Sequence, residues 1–321
     1  MPPPAGATRP VPPLPKGPLA VPISTIDWLV SRESPAARYV ALRDLLVRPA
    51  KDVELRKARQ ALPRDLFVRD TVAALRRALG GGARADGALW LTLFLAEVGA
   101  DRLLPEMRRA AAFLFTTFEH AFVEIERDGE AKTDPLLFPI VCRTLALVGY
   151  SGDSRILAGA EHVARSRIAG AAEPGSPRDT AILAKELLLF ATLAEKGRPA
   201  LVERAIGFAV ERAIATALPR ELQPVPRGTR GFAFPTADGT DLLELLEALA
   251  LLRIEPRPEL LPALAMLGAE SDRRARWRLG AAPRDRMAVA LEREGELSRG
   301  VPVRALRVMQ HFRGLTIGEK G

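Results

Sequence analysis

The sequence predicts an all-α protein, built as an α/α toroid of about six helical hairpins or, alternatively, as an open HEAT-like α-solenoid. Three observations predict it. Aromatic residues make up 5% of the 321-residue chain and runs of alternating β-branched residues are missing, so the apolar spacing is helical almost throughout. Helix starts carry a capping residue followed by proline, as at Ser34-Pro35, Asp134-Pro135 and Ser176-Pro177. A hairpin-length unit also recurs along the chain.

Taken in order, residues 1–22 (MPPPAGATRPVPPLPKGPLAVP) are too rich in proline for helix or sheet and lack the apolar core of a signal peptide. They read as a disordered tail, leaving one toroid domain at 23–316. Within it, "LWLTLFLAEVGADRLLPEMRRAAAFL" (89–114) aligns with "FPIVCRTLALVGYSGDSRILAGAEHV" (138–163), setting Gly99 over Gly149. "AKELLLFATLAEKGRPALVERAIGFA" (184–209) repeats the form with Gly197, and "LLELLEALALLRIEPRPELLPALAML" (242–267) with Glu255-Pro256 at the turn. The turns fall about 50 residues apart, longer than an armadillo or HEAT unit, which favours the toroid. Glycines at 80, 99, 149 and 197 stand where helices should stop. In each unit the first helix is apolar nearly all round and the second amphipathic with arginine, so the first helices form an inner layer and the second an outer one.

Composition narrows the function classes. With 48% apolar and 27% charged residues the chain has a sizeable core, and no segment joins about 18 apolar residues to freedom from charge, so no membrane span is expected and the placement is cytoplasmic. The lone Cys142 excludes an internal disulfide or a thiolate metal cluster within one chain. The net charge of +8 and pI near 10.2 come mainly from arginine. Most arginines alternate with acids, as in "LVERAIGFAVERAIA", and no aromatic platform accompanies them, which argues against nucleic-acid binding.

The segments "IDWLVSRESPAARYVALRDLLVRP" (26–49), "GALWLTLFLAEVGAD" (87–101), "GFAFPTADGTDLLELLEALALL" (231–252) and "VPVRALRVMQHF" (301–312) together resemble bacterial squalene-cyclase-like and prenyltransferase-like proteins of the terpenoid cyclase α/α-toroid superfamily. The resemblance covers nearly the whole domain. It implies a toroid with a central cavity for a hydrophobic, isoprenoid-like ligand, and a cyclase-like or prenyltransferase-like activity if the protein is an enzyme. The D-x-D-D acid of the cyclases is absent; Asp238 and Asp241 in "DGTD" are the nearest approach. Remnants of the cyclases' glutamine-tryptophan repeats lie around Trp90 and Trp277.

Asp241, Glu244 and Glu247 recur every third position, within about 120° of one helix side. Facing a lumen, they would supply a buried acid or hold Mg²⁺ on a diphosphate, the one case in which a cofactor is implied. Otherwise they are an exposed or arginine-paired helix side. Asp238 and Asp241 are the candidate catalytic pair. Candidate ligand-binding residues are Glu244, Trp90, Cys142 on an inner helix, and Arg276, Trp277 and Arg278 in "SDRRARWRLGAAPRDR" (271–286), where guanidinium forks suit phosphate and the indole suits a prenyl chain. His120 and Glu124 have the step of a helical metal pair but no third ligand, and no metal site is assigned. A second function class stays open: a non-catalytic helical-repeat scaffold whose arginine-rich outside binds an acidic protein.

Overall fold

The structure, a computed structural model, describes residues 8–9, 17–82, 85–170, 175–221, 225–226, 232–234, 240–280 and 293–318. The protein is all-α. Its elements are β1 (Thr8–Arg9), β2 (Leu19–Pro22), α1 (Ile23–Leu29), α2 (Pro35–Val40, continued by a π-helical turn at Ala41–Leu45), α3 (Val53–Ala61), α4 (Leu66–Arg77), α5 (Ala85–Glu97), α6 (Pro105–Thr117) and α7 (Glu119–Asp128). There follow α8 (Leu137–Leu145), α9 (Ser154–Ala169), α10 (Pro177–Thr192), α11 (Ala200–Arg212), β3 (Val225–Pro226), α12 (Leu242–Leu251), α13 (Leu261–Ala269), α14 (Gly300–Arg313) and β4 (Leu315–Gly318).

The four aligned sequence units are the hairpins α5–α6, α8–α9, α10–α11 and α12–α13. Their turns use the expected chemistry. Ser34 and Ser176 precede prolines at the first helical positions of α2 and α10; the Ser176 hydroxyl accepts from the Asp179 amide at 3.1 Å, whereas the Ser34 side chain makes no capping hydrogen bond. Asp134 acts slightly upstream of α8, accepting from the amides of Leu136 and Leu137. Gly99 shows why its turn needs glycine: φ is +94°, and a Cβ there would sit 2.1 Å from the Tyr39 ring on α2.

Layering follows from burial. Leu187, Leu188, Leu189 and Phe190 are consecutive on α10 and all buried, so that helix is covered on every side. Each such side chain contributes about 1.5–3 kcal/mol when fully withdrawn from water. The first helices of the hairpins contact one another in chain order, α5 with α8, α8 with α10 and α10 with α12. Then α12 packs on α14, and α14 packs on α2 and its π-helical continuation. On the outer side α9 packs on both α7 and α11.

The N-terminal boundary differs from the expected one. Leu19–Pro22 form a strand paired in parallel with β4, Leu19 opposite Leu315 and Val21 opposite Ile317, and Val21 is buried. Thr8–Arg9 pair antiparallel with Val225–Pro226. Proline density suppresses helix here, but an extended two-stranded edge tolerates it. At the other end β4 runs over Leu315–Gly318.

Between hairpins two and three lies a buried ionic cluster. Arg167 on α9 contacts Glu186 at 2.5 Å and Asp179 at 3.0 Å, and Arg212 on α11 contacts the other Asp179 oxygen at 3.0 Å. Burial pushes the Glu186 carboxyl up to about 7, against the pull of Arg167. A carboxyl raised in the fold favours protonation there, so its contribution falls as pH rises from the unfolded value of 4.5 toward about 7.

Two outcomes follow. Gly99→Ala should cost about 2 kcal/mol or more in urea unfolding, because backbone strain and the Tyr39 clash add; a loss below about 0.5 kcal/mol would contradict the turn geometry. Relative to Glu186→Gln, the wild-type protein should lose stability as pH rises from 4.5 to about 7, read from urea midpoints across that range; parallel curves would contradict it.

Candidate functional site

A cavity of about 440 Å³ lies where α2, α5, α8, α10, α12 and α14 meet. Its wall has two characters. Tyr39, Val98, Leu147, Phe234, Leu251 and Val303 give it an apolar part, and Arg43, Arg143, Arg304 and Arg307 stand with Asp44, Glu97 and Glu247 on the rest. At the rim Arg59 from α3 pairs with Asp101, and Leu251 is 38% exposed. The resemblance implies an apolar chamber; this one carries ionic groups from five of its six inner helices.

Those groups form one connected lattice. Glu247 on α12 accepts from Arg304 Nε on α14 at 2.6 Å and from Arg307 one turn on. Arg307 also reaches Asp44 at 3.3 Å, and Arg43 forks on Asp44 through Nε at 2.5 Å and its terminal nitrogen at 2.7 Å. That nitrogen of Arg43 donates in turn to the Glu97 carbonyl oxygen of α5 at 3.1 Å. The Glu97 carboxylate meets Arg143 of α8 at 2.8 Å. From the other end, Arg304 donates to the Ala233 carbonyl at 3.3 Å, and the Ala233 amide donates to Asp241 at 2.8 Å.

Electrostatics follow from that packing. Burial alone would raise the Glu247 carboxyl, but Arg304 and Arg307 outweigh it and hold the group below the usual carboxylate range. Burial likewise works against the Arg304 charge, and Glu247, Asp241 and Glu97 overcome it, so that guanidinium stays protonated.

The carboxylate line of α12 is therefore neither a solvated face nor a bare acidic wall. Asp241 is the N-cap, accepting from the Glu244 amide at 2.8 Å; burial raises its carboxyl, with Arg304 opposing. Glu244 is buried against Lys185 of α10 at 2.6 Å. Only Glu247 lines the 440 Å³ cavity. Asp241 instead borders a separate, shallower cavity between the N-terminal ends of α10 and α12, with Thr180 and Leu245. Asp238, its proposed catalytic partner, lies outside the described residues. Among the described residues no three His, Cys, Asp or Glu side chains are grouped to hold a metal.

The remaining candidates are dispersed. Trp90 is buried in α5 and is not part of the cavity wall. Cys142 is fully buried against Gly159 of α9, and desolvation pushes its thiol far above the ordinary range, so it packs as a small hydrophobe. Trp277 is buried too, its indole N–H donating to the Leu267 carbonyl at 2.9 Å. Arg276 forks on Asp272 at 2.7 and 2.9 Å and lies over the Trp28 ring, while Arg278 donates to the Gly295 carbonyl at 2.6 Å. These three residues build a turn; 281–286 lie outside the described residues. His120 meets Glu124 at 3.3 Å on an exposed face.

What the sequence reading missed are the arginines of the inner layer. Arg143 in "FPIVCRTLALV" and Arg304 and Arg307 in "VPVRALRVM" interrupt otherwise apolar runs, and Arg43 does so together with Asp44 in "YVALRDLLV". A charge inside a helix that must be buried on all sides was the available signal.

No family model matches the chain, and no curated protein matches it in sequence.

Arg304→Ala should destabilise the protein by about 3–5 kcal/mol, because it strips a buried carboxylate of a partner. Arg304→Lys should recover part of that loss. Since the folded Glu247 carboxyl is depressed, its contribution is present above its unfolded value and is lost as pH falls through the folded one; Glu247→Gln should flatten that acid limb in thermal unfolding.

Proposed function

We propose that the protein is a closed α/α ring of the terpenoid-cyclase-like kind that binds an amphipathic, isoprenoid-like small molecule in the cavity among its inner helices. The observation carrying this reading is the 440 Å³ chamber with an apolar wall on one part and arginines on another, within the usual range of about 300–1,000 Å³ for small-molecule sites. Support for the closed ring comes from α14 packing on both α12 and α2. The resemblance of segments 26–49, 87–101, 231–252 and 301–312 supplies the ligand class. A proton-transfer role for Asp241 is not part of the proposal, because its oxygens serve two backbone amides.

Mass spectrometry of an organic extract of the purified protein should show one amphipathic molecule near stoichiometry that is missing from an unrelated protein prepared identically. Leu251→Trp, at a half-exposed rim position, should empty the cavity without lowering Tm by more than about 2–4 °C, equivalent to roughly 1 kcal/mol at this size. An extract free of any specific molecule, unchanged by Leu251→Trp, would turn the reading toward the helical-repeat scaffold for an acidic protein partner.

A further inference from the structure

We propose that Phe234 closes the inner end of this cavity and sets the length of molecule it accepts. The inference rests on the binding reading above and adds a size limit with the residue that imposes it. Leu251, at the rim, is the last residue of α12, and Asp241 caps the start of that helix. The helix is ten residues long, so rim and cap stand about 15 Å apart at the rise of an α-helix. Phe234 lines the cavity from the capped end, because the amide of the preceding Ala233 donates to Asp241 at 2.8 Å.

The ring is held in place by what surrounds it. The Ala233 carbonyl accepts from Arg304 at 3.3 Å and the Phe232 carbonyl from the Gly280 amide at 3.0 Å, so the backbone leading to Phe234 is pinned on both edges. Gly300, the first residue of α14, lies so close that a Cβ there would stand 2.3 Å from a ring carbon of Phe234. Phe94 of α5 meets the ring edge-on with centroids 6.3 Å apart, and Phe67 of α4 meets Phe94 at 4.3 Å. Phe234 therefore rests on the core while lining the cavity. An apolar cavity of about 150 Å³ holds one benzene, about 25 Å³ per non-hydrogen atom, so the 440 Å³ here holds at most about 18 such atoms. Deleting the Phe234 ring vacates room for about six more.

The test exposes the full chain to an equimolar mixture of straight-chain primary alcohols, octanol to tetracosanol, delivered from cyclodextrin, and reads the bound set by mass spectrometry after gel filtration. Carbons beyond the rim stay in water and gain nothing, so the bound set should peak at or below about 18 non-hydrogen atoms. Phe234→Ala should move the peak up by about six carbons and Phe234→Leu by about half as many, with Tm recorded alongside; the leucine variant carries the test if the alanine variant does not fold. Gly300→Ala should alter the peak while the ring is present and leave it unchanged in the Phe234→Ala background. Leu251→Trp should abolish binding in every background. Alcohols that bind and are lost with Leu251→Trp, but with the same peak in wild type and in both Phe234 variants, would overturn the role of Phe234 while sparing the cavity. A wild-type peak at eicosanol or longer would overturn the size limit, again sparing the cavity. No alcohol bound, or binding indifferent to Leu251→Trp, would overturn this inference and the cavity reading together.

Discussion

Everything at the centre of this protein depends on the need to neutralise Glu247. A carboxylate withdrawn from water costs several kcal/mol unless paired at good geometry, and here the pairing comes from two arginines on successive turns of α14. Since Arg307 is shared with Asp44, and Arg43 on the same π-helical turn holds the end of α5, fixing one carboxylate fixes the rotation of three further helices. The apolar layers supply the bulk of the driving force, but leucine against leucine tolerates sliding. Ion pairs of this length do not.

The same device recurs away from the cavity. Lys185 and Glu244 join α10 to α12, while Arg167, Asp179, Glu186 and Arg212 join α9, α10 and α11. Several neighbouring pairs of buried helices, α5 with α8, α10 with α12, α12 with α14 and α14 with the π-helical turn after α2, are thus keyed by charges. Hairpins of similar length and composition would otherwise be near-equivalent partners for each other. Complementary buried charges set the order in which they dock, because a wrong pairing would leave a carboxylate or guanidinium unpaired.

The helical hairpins were legible because their signals are local. Proline after a capping serine and glycine at positive φ describe a few residues each, and Gly99, Gly149 and Gly197 all adopt that conformation. The site was less legible, because its meaning lies in pairs far apart in sequence: Glu247 with Arg304, Glu97 with Arg143, Lys185 with Glu244. From sequence, the Asp241, Glu244 and Glu247 series reads as one functional line. In the fold it serves a helix cap, a helix–helix key and a cavity wall. The arginine cluster around Trp277 drew attention by its density, yet Arg276 is spent on Asp272 and the Trp28 ring and Arg278 on the Gly295 carbonyl. Proline counting placed the end of the tail a few residues too late, since it registers lost helix and not gained strand.

The pairing of β2 with β4 brings residues 19–22 beside 315–318, so a strand that precedes every helix finds its partner only after the last of them. A ribosome delivers the chain from the N-terminus. Leu19–Pro22 therefore emerge ahead of every hairpin and can pair with β4 only after the last of them is made. The hairpins form from near neighbours and need no such delay, whereas this clasp has almost the longest loop closure the chain allows. Assembly is local in the middle and global at the seam, which can shut only once residues 315–318 have been made.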